Sequence, residues 1–312
     1  MKSFGFLVLA IIGLGLGGFW LLRPMLVATQ VVSPTLPPSG KPTSAQSNAP
    51  SLEYHTVDLK HSLAHVLIVP SSSAVEVIPA IADTLQPLGQ FAQQQGAIAA
   101  INAGFFDPAN QKTTSYVVVQ ARVVADPSQN ERLTQNPKLA PYLAQILNRS
   151  EWRRYRCGSI IQYAITLHQA PVAAGCQLLD AVGGGPQLLP ELTAEAEGFF
   201  KTVQGTVVRD AIGMNQANAR TAVGLTADGS LVWVMVAQKA GAPSGGGLSL
   251  PELASFLKQF GVTQALNLDG GSSSSFFFKG KTSYGKRDET GNPVQRPLKS
   301  ILLVRQLPVP TH

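Results

Sequence analysis

The segment GLSLPELASFLKQFGVTQALNLDGGSSSSFFF, residues 247–278, has the clearest pattern of secondary structure in the chain. Ser249 and Glu252 have the spacing of a capping box, and the apolar residues that follow recur with a helical period. After a glycine that would end the helix, the apolar run 262–268 predicts a short buried strand. The stretch therefore predicts a helix, a strand and a small polar turn, with the carboxylate of Asp269 at the end of the strand.

A similar pattern occurs earlier in the chain. Gly96 is followed six residues later by Asn102 and a glycine turn, and Gly261 is followed six residues later by Asn267 and a glycine turn. Each unit predicts a helix, a glycine that ends the helix, a strand and a polar turn. Two such units would bring both polar turns to one site. The alternative is coincidence in a chain that contains 29 glycines.

The other segments predict more strands than helices. Alternating apolar residues predict an early hairpin over 55–69 and a second hairpin over 220–237, around an Asp-Gly turn. Residues 81–95 have a helical apolar face, and the three phenylalanines at 276–278 are expected to alternate across a core strand. Glycines 183–185 indicate a turn in which the backbone approaches another group closely. The fold class expected is α+β, with a mixed β-sheet core and packed helices in a single domain.

Two features of the middle of the chain leave alternatives open. The polar segment 127–156 contains arginines at 149, 153, 154 and 156, which favours a solvated surface, with an anion-binding rim as the alternative. The only cysteines are Cys157 and Cys176. In an oxidising compartment they are expected to form a disulfide, the alternative being two buried thiols. Two thiols without a nearby histidine make an incomplete zinc shell.

Composition and the N-terminus indicate the compartment. Charged residues make up 13% of the 312 residues, as in a globular protein, and the net charge of +6 weakly favours anionic partners. No recognition helix or zinc spacing favours nucleic acid. Residues 4–22 are apolar and uncharged, nearly long enough to cross a bilayer. We therefore expect a signal anchor or a cleaved signal peptide over 1–29 and a Pro/Ser/Thr-rich linker over 30–51. The folded domain over 52–312 is then expected outside the cytoplasm, in the periplasm or beyond.

Five pieces of the chain, in order, carry a resemblance to a known family. They are INAGFF (101–106), GGGPQLL (183–189), ARTAVGLTADGSLVWVMV (219–236), GLSLPELASFLKQFGVTQALNLDGGSSSS (247–275) and QRPLKSILLV (295–304). The chain resembles the phosphodiester glycosidase family. The resemblance implies a hydrolase that cleaves a sugar-1-phosphodiester at the glycosidic bond, here in an envelope or extracellular glycan.

The resemblance also implies which residues form the site. The catalytic candidates are Asp269, Asn102 and Arg220. The substrate-binding candidates are Gly270, Gly271, Ser273, Arg296, Gly184 and Gly185. The chain departs from the family pattern at Gln238-Lys239 and at Ser300, which leaves the substrate less determined than the fold.

The chemistry of these residue types suits a sugar phosphodiester. Asp269 is expected to act as nucleophile, general base or partner of sugar hydroxyls, and the arginines to hold phosphate oxygens. The N–H groups of the Gly-Gly-Ser turn would bind an anion. Phosphate is a good leaving group, so a second carboxylate matters less than in ordinary glycosidases, and Asp107 and Asp210 are the candidates for it.

Alternatives remain for the cofactor and for the function. We expect no cofactor, with a calcium ion at Asp269 as the alternative. The rival functions are a non-catalytic glycan-binding or exopolysaccharide-assembly protein, and an ordinary glycosidase with two carboxylates.

Overall fold

The structure is a computed structural model that describes residues 50–242 and 245–307. The expected membrane segment at 4–22, and nearly all of the linker expected at 30–51, lie outside the described residues. Within the described part of the chain, no helix has both the length and the apolar character needed to span a membrane. The first described strand begins at Glu53.

Strands make up most of the regular structure. The described residues form β1 Glu53–Leu59, β2 Ser62–Val69, β3 Val75–Gln86, β4 Ala99–Asn102, β5 Val117–Val119, β6 Arg122–Ala125, β7 Ser150–Cys157, β8 Ile160–Leu167, β9 Cys176–Gly183, β10 Gln187–Leu189, β11 Phe200–Val203, β12 Thr206–Asp210, β13 Arg220–Thr226, β14 Leu231–Gln238, β15 Val262–Asn267, β16 Ser275–Phe278, β17 Lys281–Tyr284 and β18 Leu298–Gln306. The α-helices are α1 Leu88–Gln94, α2 Glu131–Thr134, α3 Leu143–Ile146 and α4 Leu250–Lys258. Single 3₁₀ turns cover Pro127–Gln129, Ala140–Tyr142 and Gly271–Ser273.

The strands form three sheets and one separate ribbon. The strand orders are β1-β2-β14-β13-β15-β10, β17-β16-β4-β18-β3 and β6-β5-β9-β7-β8, with β11 and β12 as the ribbon. Each pair of strands in the described residues is antiparallel. The expectation of a mixed sheet is therefore wrong, and strand (46%) far exceeds helix (13%). The helices are few and short, whereas each parallel pair would need a long crossover connection.

One apolar core lies between the three sheets. It includes Trp152 of β7, Trp233 of β14, Phe276 of β16 and Leu302 of β18, all nearly inaccessible to solvent. Helices cover the outer faces of two sheets, α4 on the six-stranded sheet and α1 on a five-stranded one. Phe276 packs into the shared core and Phe277 packs under α1. The two rings therefore alternate across β16, as the sequence predicted.

The helix and strand predicted from the opening stretch are confirmed. Ser249 and Glu252 form the capping box, in which the Glu252 carboxylate accepts the N–H of Ser249 at 2.8 Å. Gly261 follows the helix with φ of +72°, a conformation that glycine adopts without strain. Strand β15 then runs antiparallel to β13 and ends at Asn267. This geometry delivers Asp269 to the end of the six-stranded sheet.

The helix predicted over 81–95 is only partly correct. The structure places Ile81 to Gln86 in β3, paired with β18, and the helix begins after Pro87. The residue before a proline is disfavoured in helical conformation, so the chain stays extended up to that point. Pairing with β18 therefore keeps residues 81–86 in a strand, although their apolar residues have helical spacing.

The arginine-rich segment is a solvated surface only in part. Arg153 is 3% exposed and donates to Glu151 at 2.5 Å, and Arg154 donates to Asp180 at 2.7 Å. β7 is the strand between β8 and β9, so these side chains are buried with carboxylate partners. Arg153 and Arg154 are therefore neutralised by protein carboxylates, whereas Arg156 is exposed to solvent as expected.

The disulfide expected from the two cysteines is confirmed. Cys157 and Cys176 face each other across β7 and β9 and are covalently joined. The bond closes the loop that contains β8, which ties the end of one strand to the start of its neighbour.

Candidate active site

A cleft opens where β13 begins and β15 ends. Its volume is about 350 Å³. The lining residues come from the turn after β4, the loop between β12 and β13, and the turn after β15. They are Phe105, Ala211, Ile212, Gly213, Gln216, Asn218, Arg220, Asn267, Asp269, Gly270, Gly271 and Ser272. Among these described residues Asp269 is the only carboxylate.

The two polar turns predicted to converge do meet at this cleft. Asn102, at the end of β4, donates its amide Nδ2 to the backbone carbonyl of Asp269 at 2.5 Å. The N–H of Asp269 donates to the carbonyl of Ala103 at 3.0 Å. The backbone of Asp269 is therefore held on both sides by the turn that follows β4.

The carboxylate of Asp269 is held in a weakly solvated position. Its Oδ1 accepts the N–H of Gly270 at 2.9 Å, and the hydroxyl of Ser273 also bonds to the carboxylate. Burial raises the pKa of Asp269 to about 6, although the Ser273 bond, the charge of Arg296 and the Gly270 bond act in the lowering direction. Asp269 is thus mostly ionised at neutral pH, yet it can accept a proton readily.

Arg296 supplies the positive charge near Asp269. Its Nη1 donates to the hydroxyl of Ser272 at 2.9 Å, and its guanidinium lies 5.1 Å from the centre of the Phe106 ring. No other hydrogen bond is made by this guanidinium to a residue in the described part of the chain. The remaining donors suit the oxygens of a phosphate.

Arg220 lines the cleft, but its contacts differ from those of a phosphate ligand. It is 2% exposed and donates four hydrogen bonds to backbone carbonyls. Three of the acceptors, Ile212, Gly213 and Gln216, belong to the loop that forms one wall of the cleft. Burial lowers the pKa of Arg220 to about 10, against the opposing effect of Asp210. Its role in the structure is to shape this wall.

Asn102 does not line the cleft. Its side chain is buried and makes three hydrogen bonds, one to Asp269 and two accepted by Oδ1 from the Thr221 hydroxyl and the Ser275 N–H, at 2.7 and 3.0 Å. These contacts occupy the amide, so Asn102 positions Asp269 from behind. The structure does not place it where it would touch a substrate.

The Gly-Gly-Ser turn has fewer N–H groups available to bind an anion than the sequence predicted. Gly270 donates its N–H to the neighbouring carboxylate, Gly271 donates to the carbonyl of Ala219 at 2.8 Å, and Ser273 donates within the turn. In the described structure only the N–H of Ser272 in this turn lacks a protein acceptor. Gly271 has φ of +60°, which explains the glycine. The turn fixes Asp269 rather than forming an anion-binding nest.

Gly184 and Gly185 lie behind the cleft and are not among its lining residues. A Cβ on Gly184 would lie 2.6 Å from the carbonyl of Asn267, and one on Gly185 would lie 2.5 Å from Glu197. The N–H of Gly185 donates to Asn267 at 2.8 Å. The close approach predicted for these glycines is therefore to protein groups, and not to a substrate.

Neither candidate for a second carboxylate lines the cleft. Asp107 is paired with Arg132 at 2.7 Å. Asp210 accepts the N–H groups of Ile212 and Met214, which caps the loop at the cleft wall. Both carboxylates are engaged in local structure. In the described residues no three His, Cys, Asp or Glu side chains are grouped as metal ligands.

Several residues that line the cleft are not among the candidates predicted from the sequence. Asn267 is part of the repeated helix-glycine-strand-Asn pattern, which could have marked it, and Ser272 lies in the opening stretch. Phe105 follows the first polar turn. Gln216 and Asn218 lie in a polar loop with no motif, so only the fold shows that they reach the site.

Comparison with known families shows which family the chain belongs to. The sequence profile of the phosphodiester glycosidase family matches residues 95–305, which is most of the chain. The chain belongs to the phosphodiester glycosidase family. No curated protein sequence is significantly similar to it.

Solved structures of other proteins share the fold of this chain. The catalytic domain of zebrafish N-acetylglucosamine-1-phosphodiester alpha-N-acetylglucosaminidase, auto-inhibited by its pro-peptide, matches with a TM-score of 0.60 and 18% identity, over 84% of this chain and 85% of that one. A hypothetical protein from Synechocystis matches with a TM-score of 0.52 and 19% identity, over 82% of this chain and 64% of that one. At these identities the likeness shows the fold alone.

The contacts of the two arginines predict different effects on stability. Arg220→Lys should lower the free energy of unfolding by about 2–4 kcal/mol, because one ammonium group cannot satisfy four dispersed carbonyls. Arg296→Lys should change it by less than about 0.5 kcal/mol, because its contacts are few and partly exposed. Urea unfolding of both variants measures the difference. Equal losses would contradict the structural role of Arg220.

The raised pKa of Asp269 predicts that its ionisation destabilises the fold. The folded protein retains the proton up to about pH 6, above the ordinary value of 3.8, so stability falls as the pH rises between these values. Asp269→Asn should therefore be more stable than wild type by about 1–3 kcal/mol at pH 7.5 and nearly equal at pH 4. Asp83→Asn, at an exposed strand position, is the matched control. A stability gap that does not change with pH would show that the charge is not responsible.

Proposed function

We propose that the protein hydrolyses the glycosidic bond of a glycosyl-1-phosphodiester and releases free sugar. Family membership supports this class of reaction. The observation that carries the proposal is a single carboxylate in the cleft, Asp269, whose pKa is lowered by the charge of the nearby Arg296. The guanidinium of Arg296 does not line the cleft, but it donates to the lining residue Ser272 and has unused donors. Phosphate and sugar would lie on neighbouring sides of this pair.

In the proposed reaction Asp269 acts as a general base. Its carboxylate accepts a proton from water, whose oxygen forms a bond to the anomeric carbon. The bond from that carbon to the phosphate oxygen breaks, and the phosphate monoester leaves with the bonding electrons. A base whose pKa is about 6 is well matched to reaction near neutral pH, because it is ionised and still basic.

The positive charge of Arg296 would stabilise the phosphate group as it departs. A phosphate oxygen is a weak base, so its departure needs stabilisation of negative charge more than protonation. The partly unpaired guanidinium can supply this stabilisation. An ordinary glycosidase would need a second carboxylate about 5–9 Å from the first. Because Asp107 and Asp210 are engaged elsewhere, the phosphodiester reaction is the better account of the site.

The substrate proposed is a glycan of the cell envelope or the extracellular space. The disulfide favours an oxidising compartment, and a membrane anchor over 4–22 would hold the domain at the envelope. The rival proposal, a glycan-binding protein without catalysis, shares the fold and differs in giving no product. The assay below distinguishes the two.

Product analysis tests the reaction directly. The purified protein is incubated with a panel of sugar-1-phosphodiesters, and free sugar and phosphate monoester are measured. We expect equal amounts of both from wild type, and a loss of about 10³-fold or more in kcat for Asp269→Asn, because the base is removed. Saturable binding without product would favour the glycan-binding protein. Release of a sugar phosphate would show cleavage of the other ester bond.

A second substrate, which carries no phosphate, tests the role of Arg296. Arg296→Gln should lower kcat/KM by about 10²-fold on the phosphodiester, because the departing anion loses its partner. The same variant should lose much less on an aryl glycoside of the same sugar, which carries no phosphate. An equal loss on both substrates would indicate that Arg296 acts only through the structure.

The pH dependence follows from the base role of Asp269. The activity of wild type should rise with pH through about 6, because only the ionised carboxylate accepts a proton. The profile of kcat/KM against pH measures this for the free enzyme. Activity that falls as the pH rises through 6 would instead assign Asp269 as a proton donor.

A further inference from the structure

Asn218 lines the cleft and has no role in the reaction proposed above. It lies two residues before Arg220, at the end of the loop that leads into β13, and is partly exposed. Its backbone groups and its side-chain oxygen are all bonded within the protein. The side-chain nitrogen, Nδ2, is the exception.

Three hydrogen bonds fix the position of Asn218. Its N–H donates to the carbonyl of Leu248 at 3.3 Å, and its own carbonyl accepts the N–H of Leu248 at 2.9 Å. The side-chain Oδ1 accepts the N–H of Ala219 at 2.9 Å. An N–H can only donate, so this last contact identifies the remaining side-chain atom as nitrogen, which is a donor. The side chain is therefore held in place before any ligand binds.

The pairing of Asn218 with Leu248 depends on Gly247. A Cβ on Gly247 would lie 2.0 Å from the carbonyl oxygen of Asn218, and φ at this glycine is +108°, a conformation that other residues rarely adopt. The glycine that begins the segment 247–278 thus lets the chain hold Asn218 at the cleft wall.

The Nδ2 atom of Asn218 lies against the turn that carries Asp269. A Cβ on Gly271 would lie 3.6 Å from Nδ2. Nδ2 donates to no described residue, and it is not one of the unpaired polar atoms that are sealed from solvent, so a ligand can reach it. Ser272, the next residue of the turn, has an N–H without a described acceptor, and its hydroxyl accepts from Arg296. Donors of Asn218, Ser272 and Arg296 are therefore available at this turn.

We infer that Asn218 binds the phosphate of the substrate, through a hydrogen bond that its Nδ2 donates to a non-bridging phosphate oxygen. This inference rests on the proposed function. The non-bridging oxygens of a phosphodiester only accept and carry its negative charge, so they match a group of unpaired donors. A sugar hydroxyl can also accept, but the positive charge of Arg296 at the same turn favours the charged group. Asn218 thus adds a neutral donor to the stabilisation of the departing phosphate.

Two substitutions at Asn218 test the inference. Asn218→Leu keeps the approximate shape of the side chain and removes the donor. Asn218→Asp keeps the shape and places a negative charge beside the phosphate. Asn215→Asp is the matched control, because Asn215 belongs to the same loop, is exposed and does not line the cleft. Each variant is measured with a glycosyl-1-phosphodiester and with an aryl glycoside of the same sugar, which carries no phosphate.

We expect Asn218→Leu to lower kcat/KM on the phosphodiester by about 10- to 100-fold, because one hydrogen bond to a charged group is lost. Asn218→Asp should lower it by about 100-fold or more, because its carboxylate also repels the phosphate. On the aryl glycoside both variants should stay within about threefold of wild type. Asn215→Asp should stay within about threefold on both substrates.

Calorimetry with inorganic phosphate gives a second readout that needs no turnover. Asn218→Asp should weaken the binding of phosphate by about 10-fold or more, and Asn215→Asp should change it by less than about twofold. Asn218→Asp retains an oxygen that can accept the N–H of Ala219, so it remains a test if Asn218→Leu does not fold.

The outcomes separate this inference from the proposed function. If the diester is cleaved equally well by wild type and Asn218→Asp, hydrolysis stands and Asn218 does not bind the phosphate. Equal losses on the diester and the aryl glycoside would also overturn the inference, since Asn218 would then act through the sugar or the fold. If wild type cleaves no diester, the proposed function fails and calorimetry decides. Phosphate binding that only Asn218→Asp weakens would support the site, and equal or undetectable binding would overturn it.

Discussion

The hydrogen bond from Asn102 to the carbonyl of Asp269 is the contact on which the site depends. Asn102 ends a strand of one five-stranded sheet, and Asp269 follows a strand of the six-stranded sheet. The same side chain accepts from Thr221 and Ser275, so one buried amide joins three stretches that are distant in sequence: the end of β4, the start of β13 and residues 269–275. Because both the oxygen and the nitrogen of the amide are bonded, the side chain cannot shift without leaving a buried polar group unpaired. The position of the carboxylate is therefore fixed by the packing of the two sheets.

That arrangement lets a weakly solvated carboxylate exist in a stable protein. Burial raises the pKa of Asp269, which means that its ionised form is less stable than it would be in water. The cost is partly offset by the Ser273 hydroxyl and the Gly270 N–H, and by the charge of Arg296. Natural sites often keep such locally unfavourable groups where chemistry needs them. The surrounding sheets, with their shared apolar core, supply the stability that the site gives up.

The helix, strand and turn around the site could be predicted from the sequence, whereas the hydrogen-bond partners of the side chains could not. The capping box at Ser249, the glycine after α4 and the short strand before Asp269 are decided by neighbouring residues, and each is found as predicted. The sequence could not show that Arg220 donates its hydrogen bonds to backbone carbonyls of the cleft wall. Those contacts depend on a loop that has no recognisable motif. Pairings between distant strands likewise decided that β3 extends through Ile81 and that Arg153 is buried.

The two pattern-related asparagines show how one local design serves two purposes. Both end a strand and precede a glycine turn, so the fold places both amides at the same junction. At Asn102 the donors around Oδ1 come from the protein, and the residue holds the site together. At Asn267 no described group fills that place, and the cleft lies beside it. Its side chain instead holds the segment at Gly185, through the Nδ2 donor. A buried acceptor left unpaired costs stability, so Asn267 contributes less to the fold than Asn102 does, although both occupy the same position in the pattern.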